Sequence, residues 1–480
     1  MSFLSSLQSL PEWLDAIFSL LVTALEPILF FSVGGVPAII LWLAVGGLFF
    51  SLRLRLVNLF GLAEAMRLGF RSSAEETHEG EVTPFQALTT ALSGSIGLGN
   101  IAGVAIAIQT GGPGAVFWMT VAAILGMANK FVECSLGVKY RQIDPSGTIR
   151  GGPMFYLSLG LGEQGRGTLG QILAIIFSGF GIGAALGGGN MFQANQSYAI
   201  LVTIVPALQG YDWLYGLLFA LLTGLVILGG IGRIGQVTSR LIPLMVIVYF
   251  AMAAWILCQR LSAILPALAL ISQEAFAPQA LAGGVLGVFV QGFRRSAFSN
   301  NAGLGAAAIA HAVAKTNNPI QEGLVAMLEP LIDTVLVCNL TALVILTTGV
   351  YGFDLPEVVD GSALAALAFG SVVIWFPYIL AVVILLFAFS TTITWSYYGE
   401  RCWAYLFGES SLVLYKVLFL AFIFLGAVVN LGAVVDFSDM MLLGMAFPNL
   451  LGNFLLSNDL SQDLKQYWQG RANQPASLPG

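Results

Sequence analysis

The chain carries one apolar run after another, each about twenty residues long and nearly free of charge, such as 33–52 (VGGVPAIILWLAVGGLFFSL). At a rise of about 1.5 Å per residue, a run of this length forms a helix that crosses about 30 Å of hydrocarbon. Inside a bilayer every backbone N–H and C=O needs a partner within the protein, which leaves helices or closed barrels. Barrel strands alternate apolar and polar residues over about ten positions, and these runs do not alternate. Composition agrees: of 480 residues, 57% are hydrophobic and 9% charged, against about 25% charged in soluble domains. The fold class is an all-α polytopic membrane protein with the lipid bilayer as its solvent.

Hydropathy predicts about eleven spans, near 33–52, 84–110, 113–138, 168–190, 213–230, 236–257, 282–313, 323–349, 376–407, 412–430 and 437–457. Residues 13–31 read as an interfacial helix and 55–70 as an amphipathic, basic helix on the cytoplasmic surface. The segment 191–206 starts too polar for a span. It is expected as an outer re-entrant or interfacial helix, or as an extension of the span before it. Residues 262–280 and 354–374 are expected as outer loops with short helices. The N-terminus lacks a basic n-region and a small-residue cleavage site, so no removable signal is expected. With the N-terminus outside, Arg53, Arg55, Arg67, Arg71, Lys139, Arg141, Arg150, Arg166, Arg233, Arg240, Lys315, Arg401, Lys416, Lys465 and Arg471 face the cytoplasm, and Arg260 faces out. The positive-inside rule therefore places the N-terminus outside and the C-terminus in the cytoplasm.

The tripeptide GLG occurs at Gly97–Gly99 and again at Gly303–Gly305, an offset of 206. The same offset lays the spans at 113–138, 168–190, 213–230 and 236–257 on or near those at 323–349, 376–407, 412–430 and 437–457. The expected organisation is residues 1–83 as an N-terminal segment with one extra span, 84–260 and 261–460 as two five-helix repeats, and 461–480 as a tail. An odd number of spans per repeat inverts one half relative to the other, an arrangement in which discontinuous helices at matching positions build a midplane site.

The first helix of each repeat carries the residues for such a break: SGSIGLGN at 93–100 and FSNNAGLG at 298–305. Glycine costs about 1 kcal/mol relative to alanine in a helix. At a break, free N–H groups suit a carboxylate, and freed carbonyls and hydroxyls suit a hard cation. Small residues at these positions also suit close helix packing. In 376–407, Ser390, Thr391, Thr392 and Thr394 supply uncharged hydroxyls, for sodium or for bonds to the preceding turn. Trp395 is either a pocket wall or a packing residue. Intramembrane ionisable groups are functional candidates. Lys130 and Glu133 are spaced to pair, Glu329 and Asp333 share a helix face, and Arg294 and Arg295 precede the second break. Asp436 and Asp439 read as solvated near the outer interface.

Nothing in the chain points to an enzyme. It has no phosphate-binding loop, no HExxH and no metal-spaced His or Cys. Cys134, Cys258, Cys338 and Cys402 are scattered singly and read as packing residues. The basic residues form a rim rather than a nucleic-acid patch, so no nucleic acid is expected as a partner, and oligomeric state stays open. A channel would show a continuous polar file or charged rings, and the polar residues here are clustered instead.

Several blocks resemble the alanine/glycine:cation symporters, also called sodium:alanine symporters. They are TTALSGSIGLGNIAGVAIAIQTGGPGAVFWM (89–119), GGPMFYL, GNMFQAN, FSNNAGLGAAAIAHA, LIDTVLVCNLTALVILTTGV, FSTTITWSYYGERC and PNLLGNFLL, in that order from about residue 33 to 458. The resemblance implies a leucine-transporter-type fold of one extra helix followed by five plus five. It implies sodium-coupled, or in some members proton-coupled, uptake of alanine, glycine or a similar small neutral amino acid across a prokaryotic cell membrane. Sodium is then the coupling ion and no organic cofactor is expected. The first break (Ser93, Gly94, Ser95, Gly97, Gly99, Asn100) would meet the substrate carboxylate. Polar groups of both breaks, the second being Ser299, Asn300, Asn301 and Gly303, would meet its amino group. Sodium would lie between Ser95, the carbonyls near Gly94, and Ser390–Thr392. Phe177, Phe180, Gln193, Asn195 and Trp395 would close the pocket. The family usually has Glu where this chain has Asn301, which bears on ion dependence and cargo.

Overall fold

The computed structural model describes residues 23, 26–27, 30–69, 80–145, 147–276, 284–351, 361–429 and 431–472. Most of the expected interfacial helix at 13–31 lies outside these residues, as do parts of the expected loops at 262–280 and 354–374. In chain order the principal helices are α1 (Ala38–Arg53), α2 (Leu62–Gly69), α3 (Pro84–Ser95), α4 (Ala102–Gly111), α5 (Gly114–Lys139), α6 (Gly167–Ile204), α7 (Asp212–Ile227) and α8 (Gly230–Gln259). There follow α9 (Leu261–Glu274), α10 (Gly284–Asn300), α11 (Ala306–His311), α12 (Pro319–Thr348), α13 (Gly361–Gly370), α14 (Phe376–Phe407), α15 (Leu412–Val428) and α16 (Leu431–Ala472).

Among the described residues seven helices are long and apolar enough to cross a membrane, and the bent pair α3–α4 makes an eighth. Three of the expected spans fall short of that length: 33–52 lands on α1, 213–230 on α7, and 282–313 is divided into α10 and α11. Of the readings open for 191–206, the extension of the preceding span is the one observed: α6 continues to Ile204 through a turn of π-helix at Gly187–Met191, where the run of glycines lets the chain widen without breaking. One segment departs further from expectation. The last helix runs well past 457, because Leu460 and Leu464 bury beyond the apolar run.

Helix starts follow local chemistry. Thr83 and Gln86 form a capping box at α3, with contacts of 3.2 and 3.0 Å and Pro84 at the first helical position. Asn318 caps α12 by accepting from the Ile320 and Gln321 N–H groups, ahead of Pro319. The segment before α3 also pairs with the segment after α11. The Lys315 N–H donates to the Val82 carbonyl (2.8 Å), and the Glu81 and Val82 N–H groups donate to the Val313 carbonyl (2.9 and 3.3 Å).

The layering is that of a bundle in lipid. Leu217, Leu218, Leu221, Leu222 and Leu225 of α7 and Val413, Leu414 and Val417 of α15 are exposed, as lipid-facing helices require. The polar residues lie at the centre, with Ser93, Asn100, Ser299, Asn300, Thr392 and Thr394 at 1% exposure or less. The surface helix α2 is partly covered: Glu64 is buried, pairs with Arg67 and Arg471, and accepts from the Tyr467 hydroxyl.

Asp439 is not solvated, contrary to expectation. It is buried and takes both arginines that precede the second break, Arg294 at 2.7 Å and Arg295 at 3.2 Å. A lone carboxylate between two guanidinium groups offsets the cost of burying Arg295. Asp439→Asn leaves that charge uncompensated, a loss of about 3 kcal/mol. It should lower the thermal unfolding midpoint in detergent by several degrees, and an unchanged midpoint would show the pair to be dispensable.

Candidate functional site

Both breaks exist, and they touch. At the first, α3 ends at Ser95, Ile96 and Gly97 are extended, a short 3-10 turn covers Leu98–Asn100, and α4 leaves at 60° to α3. The Gly97 N–H is held by the Asn100 side chain (3.0 Å). At the second, α10 ends at Asn300, and Asn301, Gly303 and Gly305 all take positive φ (56°, 83° and 82°) before α11 begins. Asn tolerates this left-handed conformation better than other side chains bearing a Cβ. Its amide also donates to the Gly94 carbonyl at 3.2 Å, joining the two breaks.

Between them lies a small cavity of about 20 Å³, lined by Gly94, Ser95, Gly97, Gly99, Gly188, Gln193, Phe298, Asn301, Thr391, Trp395 and Leu442. Trp395 packs directly on Gly189 in the π-turn of α6, where any Cβ would fall 2.3 Å from it. Its indole N–H donates to the Gly94 carbonyl at 2.9 Å. Gln193 donates to the Gly188 carbonyl (3.0 Å). Two amide oxygens of the lining, Gln193 Oε1 and Asn301 Oδ1, are buried without a hydrogen-bond partner. Unmade hydrogen bonds of this kind cost about 1–3 kcal/mol each unless a ligand makes them.

The structure brings together Gly94, Ser95, Gly97, Gly99, Gln193, Asn301, Thr391 and Trp395. The other expected residues lie outside the lining. Ser93 donates to the Ser390 carbonyl (2.7 Å) and its own carbonyl accepts from Thr391 (2.9 Å), so it locks α3 to α14. Asn195 donates to the Gly426 and Val429 carbonyls at the end of α15. Phe177 is buried in the core, and Phe180 packs against Gly444 of α16. Gly303 gives its carbonyl to Asn449 (2.8 Å). Ser390 and Thr392 bond to the Phe387 and Ala388 carbonyls of their own helix (3.0 and 2.9 Å), the ordinary role of hydroxyls in helices. The Gly94 carbonyl already accepts two hydrogen bonds.

Ser299, Asn300 and Asn100 surround a second feature. In α12 the helix widens to a π-stretch over Leu331–Cys338 and presents the fully buried Asp333. Asp333 Oδ1 accepts from Ser299 (2.5 Å) and Thr334 (2.7 Å), and its carbonyl accepts from Asn100 (3.1 Å). Asn300 donates to Thr334 (3.0 Å), and Thr341 donates to the Asn100 carbonyl (2.9 Å). Asp333 Oδ2 has no partner, and no arginine or lysine of the described residues pairs with it. Hydropathy flags Asp333 as an intramembrane carboxylate. Nothing in the sequence pairs it with Ser299 and Asn100, and Phe298, Gly188 and Leu442 carried no signal for the cavity.

Two interrupted helices joined around an occluded polar cavity, inside a bundle of membrane-length helices, mark a multi-pass membrane transport protein. The model of the sodium:alanine symporter family matches residues 20–477. The sodium/alanine symporter AgcS of Methanococcus maripaludis is 40% identical over 440 residues, covering 91% of this chain and 96% of that one. The probable sodium/glutamine symporter GlnT of Bacillus subtilis is 34% identical, covering 88% and 86%. Among solved structures, MhsT in complex with L-phenylalanine gives a TM-score of 0.49 at 14% identity, covering 80% of this chain and 99% of that one. The chain belongs to the sodium:alanine symporter family, whose members are transporters rather than enzymes.

Asn301→Glu removes the donor to Gly94 and sets a less tolerant side chain at φ 56°. A loss of about 1–2 kcal/mol is expected, seen as a lower unfolding midpoint in detergent. An equal midpoint would show that the amide does not hold the two breaks together.

Proposed function

We propose that the chain takes up a small neutral amino acid, alanine or glycine, driven by sodium entry through alternating access. The observation that carries this reading is the buried cavity at the paired breaks, with two unpartnered amide oxygens facing interrupted backbone. The N–H groups that open the helix after the first break suit a carboxylate. Gln193 Oε1 and Asn301 Oδ1 suit an ammonium. At about 20 Å³ the cavity is far below the roughly 300–1,000 Å³ of ligand pockets, so the two breaks must part further to admit an amino acid. The name of the Methanococcus maripaludis relative, the more similar of the two at 40% against 34% identity, specifies alanine, and that of one Bacillus subtilis relative glutamine.

For sodium, the best-supported position is beside Asp333. A buried carboxylate with a free oxygen, next to the hydroxyls of Ser299 and Thr334, offers the oxygen ligands a hard cation prefers and carries the charge that burial leaves uncompensated. Between the first break and Ser390–Thr392, Thr391 and Ser95 line the cavity, while the Ser390 and Thr392 hydroxyls are engaged within α14. The arrangement of basic residues supports an outside N-terminus and a cytoplasmic C-terminus.

Uptake of labelled alanine into proteoliposomes tests the reading. An inward sodium gradient should drive accumulation, and accumulation that survives collapse of that gradient in a sodium-free medium overturns it. Gly97→Leu places a Cβ 2.7 Å from Thr391 Oγ1 and fills the cavity. Overpacking of about 3 kcal/mol predicts roughly 100-fold weaker alanine binding with normal membrane insertion. Asp333→Asn should raise the sodium concentration for half-maximal uptake about tenfold, equivalent to about 1.4 kcal/mol; an unchanged sodium dependence would place the ion elsewhere.

A further inference from the structure

Away from the cavity, five ionisable side chains meet in the protein interior around α11. His311 is fully buried, with Nδ1 2.6 Å from Glu322 Oε1 and Nε2 2.7 Å from Glu329 Oε1. Lys130 Nζ is 3.0 Å from Glu329 Oε2 and 3.8 Å from Glu133 Oε1. Glu133 Oε2 accepts from the Gly305 N–H (3.0 Å) and from Asn449 (3.1 Å). Lys130, Glu133 and Cys134 come from α5, His311 from α11, Glu322 and Glu329 from α12. The remaining titratable or charged neighbours are Tyr398 of α14, Tyr156, which bonds to Asn449, Asp333 a turn beyond Glu329, and Arg141, which donates to the carbonyls of Ala312, Ala314 and Thr316.

The two contacts of His311 require a count of protons. A neutral imidazole brings one N–H and one lone pair, and an ionised carboxylate brings none. Two nitrogen–oxygen contacts of 2.6 and 2.7 Å need a proton each, at lengths typical of charge-assisted bonds. One proton belongs to the neutral ring. The other is additional, carried as imidazolium or as a carboxylic acid. The charges point the same way. The cluster holds one lysine and three carboxylates, Glu133, Glu322 and Glu329, a net charge of −2 without the additional proton and −1 with it. At 1% exposure or less throughout, the larger imbalance is strongly unfavourable. Glu133 Oε1 has no hydrogen bond, only the Lys130 ammonium at 3.8 Å.

We propose that this network is a proton-binding site whose proton is released and rebound during transport. The link to movement is α11. Its first N–H group neighbours, at Gly305, are held by Glu133, and its last residue, His311, is held between two carboxylates of α12. With the proton bound, α11 is clamped between α5 and α12. Releasing it to water sets a nitrogen lone pair against an ionised carboxylate and restores the larger charge imbalance, so α11 loosens from both neighbours. Rebinding a proton from water resets the clamp, and no other reactant is needed.

Proton binding is read on the purified full chain, independently of transport, by infrared difference spectra taken as pH rises from about 6 to about 10, around and above the ordinary imidazole range. Loss of an imidazolium or carboxylic-acid band is expected in the wild type and its absence in His311→Gln. Its role is read by sodium-driven alanine uptake at equal pH on both sides of the vesicle. Wild-type uptake should fall roughly tenfold per pH unit above the titration point, the slope for one required proton, and His311→Gln should be flat within about twofold. Glu322→Gln keeps the side chain's shape and removes one carboxylate. It should move the decline to lower pH by about one unit, and it serves if His311→Gln does not fold. A wild-type profile in His311→Gln, an unmoved decline in Glu322→Gln, or an unchanged infrared spectrum overturns the proposal. If the wild type takes up no alanine with sodium at any pH, the transport reading fails while the infrared result still decides the proton site.

Discussion

A broken helix at membrane depth frees backbone groups that lipid cannot satisfy, and much of the interior answers that demand. The Gly94 carbonyl takes the Trp395 indole and the Asn301 amide, and the Gly97 N–H takes Asn100. The Asn100 carbonyl takes Thr341, the Gly303 carbonyl takes Asn449, and the Gly305 N–H takes Glu133. Asn100 is local to its own break; every other partner comes from a different helix or from the other break. Buried polar residues that resemble a diffuse scatter in sequence are therefore brackets for two interruptions. The oxygens that these brackets leave unpaired include those of Gln193, Asn301 and Asp333.

The fold was legible to the extent that it rests on local properties. Helix length follows from hydropathy, and the breaks follow from glycine density at 94–99 and 303–305. The span 376–407 coincides with α14 because an aromatic and Pro377 start it and Gly408 stops it. Hydropathy left 191–206 open between an outer element and an extension of the span before it, and packing decides the outcome. Residues 191–204 stay helical because Asn190, Asn195 and Ser197 find partners on neighbouring elements: the Phe419 carbonyl, the end of α15 and the Tyr215 hydroxyl. The extension of α16 past 457 is anchored by Arg471 on Glu64, two residues about four hundred positions apart.

The site was legible in its backbone and much less in its side chains. Glycines mark where a chain bends, but a hydroxyl does not announce whether it faces a cavity or its own preceding turn. Ser390, Thr391 and Thr392 are adjacent and chemically alike, yet the middle one alone lines the cavity, because a step of about 100° per residue turns its neighbours away. Asp439 shows the same limit for charges. Its partners lie about 145 positions upstream, beyond what spacing along one helix can reveal.

The hydrogen bonds from Glu81, Val82 and Lys315 join the chain just before the first interrupted helix to the chain just after the second. The two interrupted helices are thus stitched together at one end by main chain, not by exchangeable side chains. Parting them there would break three backbone hydrogen bonds. Separating those ends costs main-chain hydrogen bonds, so opening the cavity at any other place leaves this seam intact at lower cost.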